Sequence, residues 1–425
     1  MKDIEDEIVE VIQKAVHEMP RTLLQKLLKE KFQAAGVKVK EAKLREAIEH
    51  ILSGSDEDFI FGDKQVDEAN VELSDGDFDA IIEKVESFVK NDVPAILLKS
   101  SDLAADGLYK ELSKRWAEEH NQQVKDLARF KKNLETRYGE GLNKLRMLVT
   151  IAREWGQEVH TRRLTEAKGQ PSHLDDALLR LHVRACQVTL EIVVLLEAGL
   201  ADGAMARWRT LHEIATVALL LREHGDEVAE RYVRYQIVES KKALAAYQEC
   251  REDLGYDEYS EEEARQIMID YEAVIAAYGQ PFSGEYGWIA HILGEGPGKR
   301  VTFAMLQKAA GMGVMRAHYQ MASYNVHASP KGAYFRLGQL EQTSNILLAG
   351  SSNAGLVEPA QNAGLSLGKI TMTVCSDSKA APFENNVFIK VVNRLMQEIP
   401  PDFAEADRTL KKDEEKLRRQ SQNGT

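Results

Sequence analysis

The chain is poor in the residues that build disulfide scaffolds and loop-rich folds. It has three cysteines among 425 residues, and Cys186, Cys250 and Cys375 lie far apart without pairing or metal-ligand spacing. We therefore expect a reduced, cytoplasmic setting. Only ten prolines occur, so long stretches can run as uninterrupted helix.

Long apolar runs and a basic balance are also missing. The longest apolar run, "IATVALLL" at residues 214–221, is closed by Arg222 and Glu223 and is too short to span a membrane. The segment "MKDIEDEIVEVIQ" is acidic and amphipathic, so we expect no signal peptide. A formal net charge of -13 argues against wholesale wrapping of nucleic acid, although a local basic patch stays compatible with it. The histidines show no H-E-x-x-H and the carboxylates no paired E-x-x-H, so neither a metal nor a cofactor is expected.

Apolar residues at helical spacing dominate what is present, and they predict an all-α protein. A long charged run with many opposite charges four residues apart indicates a connecting helix or helix pair. The predicted organisation has four parts: a winged-helix-like module at 1–75, a helical connector at 76–140, a helical bundle at 141–400 and a charged flexible tail at 401–425.

The N-terminal module shows three helical segments followed by two short ones. We expect Pro20 to stop the first helix. The later segments "EDFIFGD" and "EANVELSDGD" could pair as a hairpin, and three helices followed by a hairpin is the order of a winged helix. The third helical segment carries Lys40, Lys43 and Arg45 but also Glu41, Glu46 and Glu49. DNA binding and a small helical adaptor therefore both remain open.

The bundle segment changes in composition after Pro330. "AYFRLGQLEQTSNILLAGSSNAGLVEPAQ" is rich in Gly, Ser and Asn. It is compatible with a short β-hairpin excursion from the helices.

Two apolar helices of this bundle carry polar residues that need partners. "ARWRTLHEIA" places Arg209 four residues before Glu213, so the two side chains can pair along one helix. In "YQMASYNVHASPKG", Tyr319, Ser323 and His327 recur every fourth residue and should share one helix face. The cluster can be a hydrogen-bonded packing network. It can equally be a catalytic pocket in which Arg209 holds an anion and a histidine transfers protons.

These paired motifs resemble a bacterial helical family of uncharacterised function. Its members carry Arg-x-x-x-Glu on one apolar helix and Tyr-x-x-x-Ser-x-x-x-His on a later one, and this chain matches at all five positions. The resemblance covers about Leu142 to Cys375. It implies an all-helical core but no established reaction.

A second motif is similar to the Arg-x4–6-His spacing of helical, often dimeric ribonucleases in toxin and phage-defence systems. Here the pair is Arg207 and His212, with Trp208 where those proteins usually carry a polar residue. The resemblance implies metal-independent cleavage, in which His moves protons and Arg steadies the phosphate. On an ideal helix, however, residues five apart point roughly 140° away from each other.

The leading functional prediction is a bacterial cytoplasmic defence or stress protein whose bundle is a metal-independent endoribonuclease or binds RNA. Its candidate catalytic residues are Arg209, Glu213, Tyr319, Ser323 and His327, with Arg207 and His212 as the alternative pair. A homodimer is expected only by analogy with the ribonucleases. The alternative is a non-catalytic adaptor whose polar cluster is structural and whose N-terminal module binds DNA or a protein partner.

Overall fold

The computed structural model of the chain describes residues 2–54, 59, 71–166, 168–294, 300–339, 347–375 and 382–423. It confirms the all-α prediction, since these ranges contain helices and no strand. The helices are α1 (Lys2–Ala34), α2 (Glu41–Leu52), α3 (Asp75–Ser87), α4 (Val93–Glu166), α5 (His173–Glu197), α6 (Ala201–His224), α7 (Asp226–Leu254), α8 (Glu261–Tyr278), α9 (Ala290–Leu293), α10 (Phe303–Ala309), α11 (Arg316–Val326), α12 (Pro330–Tyr334), α13 (Val357–Cys375) and α14 (Pro382–Asn423).

The chain divides into two compact units, Met1–Gln123 and Val124–Thr425. The smaller unit has its own core, formed by Leu24, Leu28, Phe32, Leu44 and Ile48. The expectation that Pro20 stops the first helix is wrong, because Pro20 lies inside α1. A proline inside a helix removes one hydrogen bond and costs about 3 kcal/mol. Packing of the turns that follow it against α2 offsets that cost.

The winged-helix and DNA-binding predictions remain predictions. The expected hairpin covers residues 57–77. Of these, residues 57, 58 and 60–70 lie outside the described ranges. Basic side chains of α1 and α2 are paired with acidic ones: Lys43 with Glu46 at 2.7 Å and Lys29 with Glu41 at 2.5 Å. These ion pairs reduce the positive charge that the two helices can present to a nucleic acid.

The larger unit is a bundle built around α6. This helix buries residues on several sides and packs against α5, α11 and α13. At its centre lies the fully buried Trp208, whose indole N–H donates to the backbone oxygen of Asn362 and to Ser366 Oγ, both at 3.0 Å. The burial of α6 explains why any polar side chain on it must find a partner.

The last helix corrects the expectation of a flexible tail from residue 401. Helix α14 continues through that point to Asn423, and it buries Phe403, Ala406 and Leu410. Phe403 packs so closely on α4 that a Cβ added at Gly141 would lie 2.5 Å from its ring. The expected boundary between connector and bundle, 140/141, lies inside α4.

The predicted β-hairpin excursion, residues 333–361, lies partly outside the described ranges, at 340–346. Its described residues form turns, the end of α12 and the start of α13, and none is in a strand. None of the helices in the described ranges combines the length and the hydropathy needed to cross a membrane.

Candidate functional site

Helices α6 and α11 bring four of the five predicted site residues together. One turn apart on α6, Arg209 Nη1 lies 3.0 Å from Glu213 Oε1. From α11, the Tyr319 hydroxyl donates to the same Glu213 oxygen at 2.5 Å. Arg209 Nε donates to Ser323 Oγ at 3.2 Å, and its guanidinium carbon lies 4.7 Å from the Tyr319 ring centre. We call Arg209, Glu213, Tyr319 and Ser323 the α6–α11 network.

The network satisfies its own polar groups but leaves one atom available. The Ser323 hydroxyl donates to the Tyr319 carbonyl at 3.0 Å, so each hydroxyl has an acceptor. The shortest Arg209–Glu213 contact and the Tyr319 hydrogen bond both fall on Oε1. No hydrogen bond from the described residues reaches Oε2. The Arg209 and Glu213 side chains are 26% and 30% exposed, so the network is not sealed from solvent.

His327 lies outside the network, and here the predicted column is wrong. Helix α11 ends at Val326, and the His327 backbone is extended, with φ -102° and ψ 142°. The next helix requires this break, because Ser329 caps α12 by accepting from the Gly332 N–H and Pro330 occupies its first turn. The His327 side chain is exposed and forms no hydrogen bond or ion pair with the described residues.

The alternative pair, Arg207 and His212, is not brought together. Arg207 turns toward α5 and forms an ion pair with Glu191. His212 is fully buried, and the Gln307 amide nitrogen donates to its Nε2 at 2.8 Å. Burial lowers the pKa of His212 to about 4. A neutral, sealed imidazole on the far side of α6 from Arg207 cannot act with that arginine on a phosphate.

A groove of about 860 Å³ runs past the network. Its walls come from α5, α6, α7, α10 and the turn between α8 and α9, with Glu213 contributed by α6. Four carboxylates line it, Asp176, Glu213, Glu239 and Glu285. Five aromatic side chains line it too, Tyr232, Tyr235, Tyr286, Trp288 and Phe303.

One wall of the groove is held in an uncommon backbone conformation. Tyr286 has φ 52°, in the left-handed region that side-chain-bearing residues rarely adopt. At the following residue only glycine fits, because a Cβ on Gly287 would lie 2.0 Å from the Phe282 carbonyl oxygen. The Tyr235 hydroxyl donates to the Gly284 carbonyl at 2.6 Å and ties the turn to α7. Such backbone strain is concentrated at functional sites in proteins.

The groove carries a negative field. Burial, and then the carboxylates of Glu213 and Glu285, raise the pKa of Tyr286 to about 12. Burial, followed by Glu239 and Glu285, also raises the pKa of Tyr235. The cations lining the groove are Arg180, which is paired with Asp176 at 2.8 Å, and Lys242. The carboxylates of Glu239 and Glu285 have no ion pair within the described ranges.

The motifs did not reveal most of the groove. Glu213 is the only predicted site residue that lines it. Its aromatic side chains come from elements distant in sequence, and only the cluster "EYGWIA" at 285–290 is a local signal. In the parts of the chain that are described, no group of three or more His, Cys, Asp or Glu side chains could hold a metal ion.

Residues 175–344 match the model of a family of unknown function (DUF5677). The match includes both halves of the α6–α11 network and every residue that lines the groove. It agrees with the sequence resemblance to an uncharacterised helical family over a narrower range than Leu142 to Cys375. No curated protein and no solved structure matches the chain significantly.

Proposed function

We propose that the bundle is a binding module whose groove takes an organic cation. The cation is either a small amine or the lysine or arginine side chain of a protein partner. The observation that carries the proposal is Glu213 Oε2, which accepts no hydrogen bond from the described residues, in a groove that is also lined by Glu239, Glu285 and aromatic rings. This conclusion follows the adaptor alternative more closely than the ribonuclease prediction.

The chemistry of the groove suits a cation in two ways. Aromatic faces attract an ammonium or guanidinium group by about 0.5–2 kcal/mol, more when the cation is desolvated. Carboxylates at the same site supply the opposite charge. The network holds Glu213 in place through Arg209 and Tyr319, so that carboxylate loses little side-chain freedom when a ligand binds.

The same groove is unfavourable for RNA. A phosphodiester would meet carboxylates that outnumber the cations lining the groove, and like charges at an interface oppose binding. Of the two predicted catalytic histidines, only His327 is exposed and could still serve a ribonuclease; it lies four residues after Ser323. It is tested below as a rival outcome.

Isothermal titration calorimetry tests the proposal with three probes: tetramethylammonium, spermidine and a hexalysine peptide. We expect at least one to bind the parent protein, and the arms separate a small amine from a basic peptide. The variant Glu239→Gln/Glu285→Gln should bind at least tenfold more weakly, which is about 1.4 kcal/mol. Glu272→Gln on α8 is the matched control, because it removes an exposed carboxylate that does not line the groove.

Three results would overturn this function. Failure of all three probes to bind at millimolar concentration would remove the cation site, as would binding that is the same in the double variant and in the parent. Cleavage of total RNA in EDTA by the parent, but not by Arg209→Ala or His327→Ala variants of unchanged melting temperature, would establish the ribonuclease instead.

A further inference from the structure

Large apolar side chains lie exposed along the first half of α4. Between Ile96 and Leu127 they number ten, and none is buried. Tyr109 is 73% exposed, Leu98 66%, Trp116 58% and Leu112 53%. Exposed apolar surface on this scale marks an interaction site rather than ordinary surface.

The apolar side chains define one face. At 100° per residue, Leu98, Tyr109, Leu112, Trp116 and Leu127 fall within an arc of roughly 60°. We call this arc the α4 face. Leu98 and Leu127 are separated by roughly 44 Å along the helix.

Further along the same helix, the same face is buried. Leu134, Leu145 and Ala152 continue the arc, and each is at most 2% exposed in the bundle core. The pattern of α4 is therefore that of a helix covered along its whole length, although its first half has no cover within the described residues.

We propose that the α4 face pairs with the α4 face of a second copy of this chain, antiparallel and centred on Trp116. A two-fold axis at Trp116 stacks the two Trp116 side chains. It also places Leu112 against His120 of the second copy. Tyr109 and Trp116 can each bury about 150–250 Å². With the leucines, the face supplies area on the order of the 800 Å² per partner of a standard interface.

Charge sets the direction of the pairing. Arg115 and Glu119 lie on the same flank of the α4 face, on opposite sides of Trp116 along the helix. An antiparallel pair therefore puts each Arg115 beside Glu119 of the other copy, twice per dimer. In a parallel pair, Arg115 would instead meet Ser113 and Ala117 of the other copy. Flanking charges of this kind select partner and orientation in coiled coils.

Sedimentation equilibrium tests the pairing on the full chain. We expect the parent to show twice the chain mass of 47.7 kDa, and Leu112→Glu/Trp116→Glu to show the monomer mass with unchanged helical circular dichroism. Leu254→Glu, a substitution of an exposed leucine at the end of α7, is the control that should stay dimeric. A monomeric parent at 100 μM, or a double variant that stays dimeric, would overturn the proposal.

Orientation is tested by charge exchange and by cross-linking. Arg115→Glu and Glu119→Arg should each weaken self-association at least threefold, whereas the two variants mixed should form a heterodimer at parental strength. In a Cys250→Ser background, Trp116→Cys should form a disulfide between copies. Tyr109→Cys should not, because two copies of position 109 lie about 21 Å apart, beyond disulfide reach. Ready cross-linking at 109 would refute the antiparallel arrangement.

Discussion

At the scale of single residues, Glu213 serves two surfaces at once. Its Oε1 takes the contacts from Arg209 and Tyr319, and these join α6 to α11. Its Oε2 accepts no hydrogen bond from the described residues, and the residue also lines the groove. The same carboxylate therefore belongs to the structural network and to the proposed binding groove. A substitution at Glu213 would change the network and the groove together. For this reason the binding test uses Glu239 and Glu285.

Two buried histidines make the stability of the bundle depend on pH. His182 and His212 are 2% and 0% exposed, and burial lowers the pKa of each from 6.5 to about 4. Between pH 6.5 and about pH 4 the unfolded chain binds protons at these positions and the folded chain does not. The stability they contribute is thus present above pH 6.5 and is lost as the pH falls toward 4.

We expect each histidine to remove about 2 kcal/mol from the free energy of unfolding between pH 7 and pH 5. Urea unfolding of the parent, His182→Gln and His212→Gln at the two pH values measures this loss. Each variant is less stable than the parent at pH 7 but should lose about 2 kcal/mol less than the parent on going to pH 5. The same loss in parent and variants would show that these histidines are protonated in the folded chain.

Spacing in the sequence predicted the network residues but did not predict the positions of His327 and Tyr286. Residues four apart on a helix meet in any helix, so the Arg209–Glu213 pair and the alignment of Tyr319 with Ser323 could be predicted. His327 fails the same rule because Ser329 and Pro330 begin a new helix that breaks the old one. Tyr286 could not be found by spacing, since its place in the groove depends on a strained turn and on helices far away in sequence.

At the scale of elements, α14 shows how a charged sequence can hide a packed helix. Ile399, Phe403, Ala406 and Leu410 recur at helical spacing and are buried, but charged residues surround them in the sequence. A count of charges predicted a flexible tail, whereas the period of the few apolar residues indicates a helix with one covered face. The helix even continues through Pro400 and Pro401.

Phe403→Ala should destabilise the bundle by about 3–5 kcal/mol, the usual cost of removing a buried phenylalanine. Phe403 is 0% exposed and fills the space that Gly141 leaves on α4. Thermal unfolding should show the loss, whereas Leu417→Ala, at a position 63% exposed on the same helix, should leave the melting temperature within a few degrees. Equal melting temperatures of the two variants would mean that α14 does not pack on the bundle at Phe403.

At the scale of the whole molecule, the two units hold separate cores. The smaller core draws on residues 24–81 and the larger on residues from 130 onward. The sequence predicted an N-terminal module and a bundle. It could not locate their boundary, because one helix, α4, passes from the first unit into the second.

A chain of residues 124–425 should therefore unfold in one cooperative transition near the main transition of the full protein. All members of the larger core are retained in it. Scanning calorimetry of both chains measures this, and sedimentation of the shorter chain should give a monomer because most of the α4 face is missing. A shorter chain without a cooperative transition would show that the bundle needs the first 123 residues.

The separation of the cores also sets an order of events during synthesis. The smaller core is complete about 300 residues before Phe403 is translated, an interval of roughly 15–60 s at about 5–20 residues per second. The bundle cannot close in that time, because Phe403 on α14 packs against Tyr138 on α4, with ring centres 5.8 Å apart. The first unit is thus able to fold on the ribosome well before the contact that joins α4 to α14 can form.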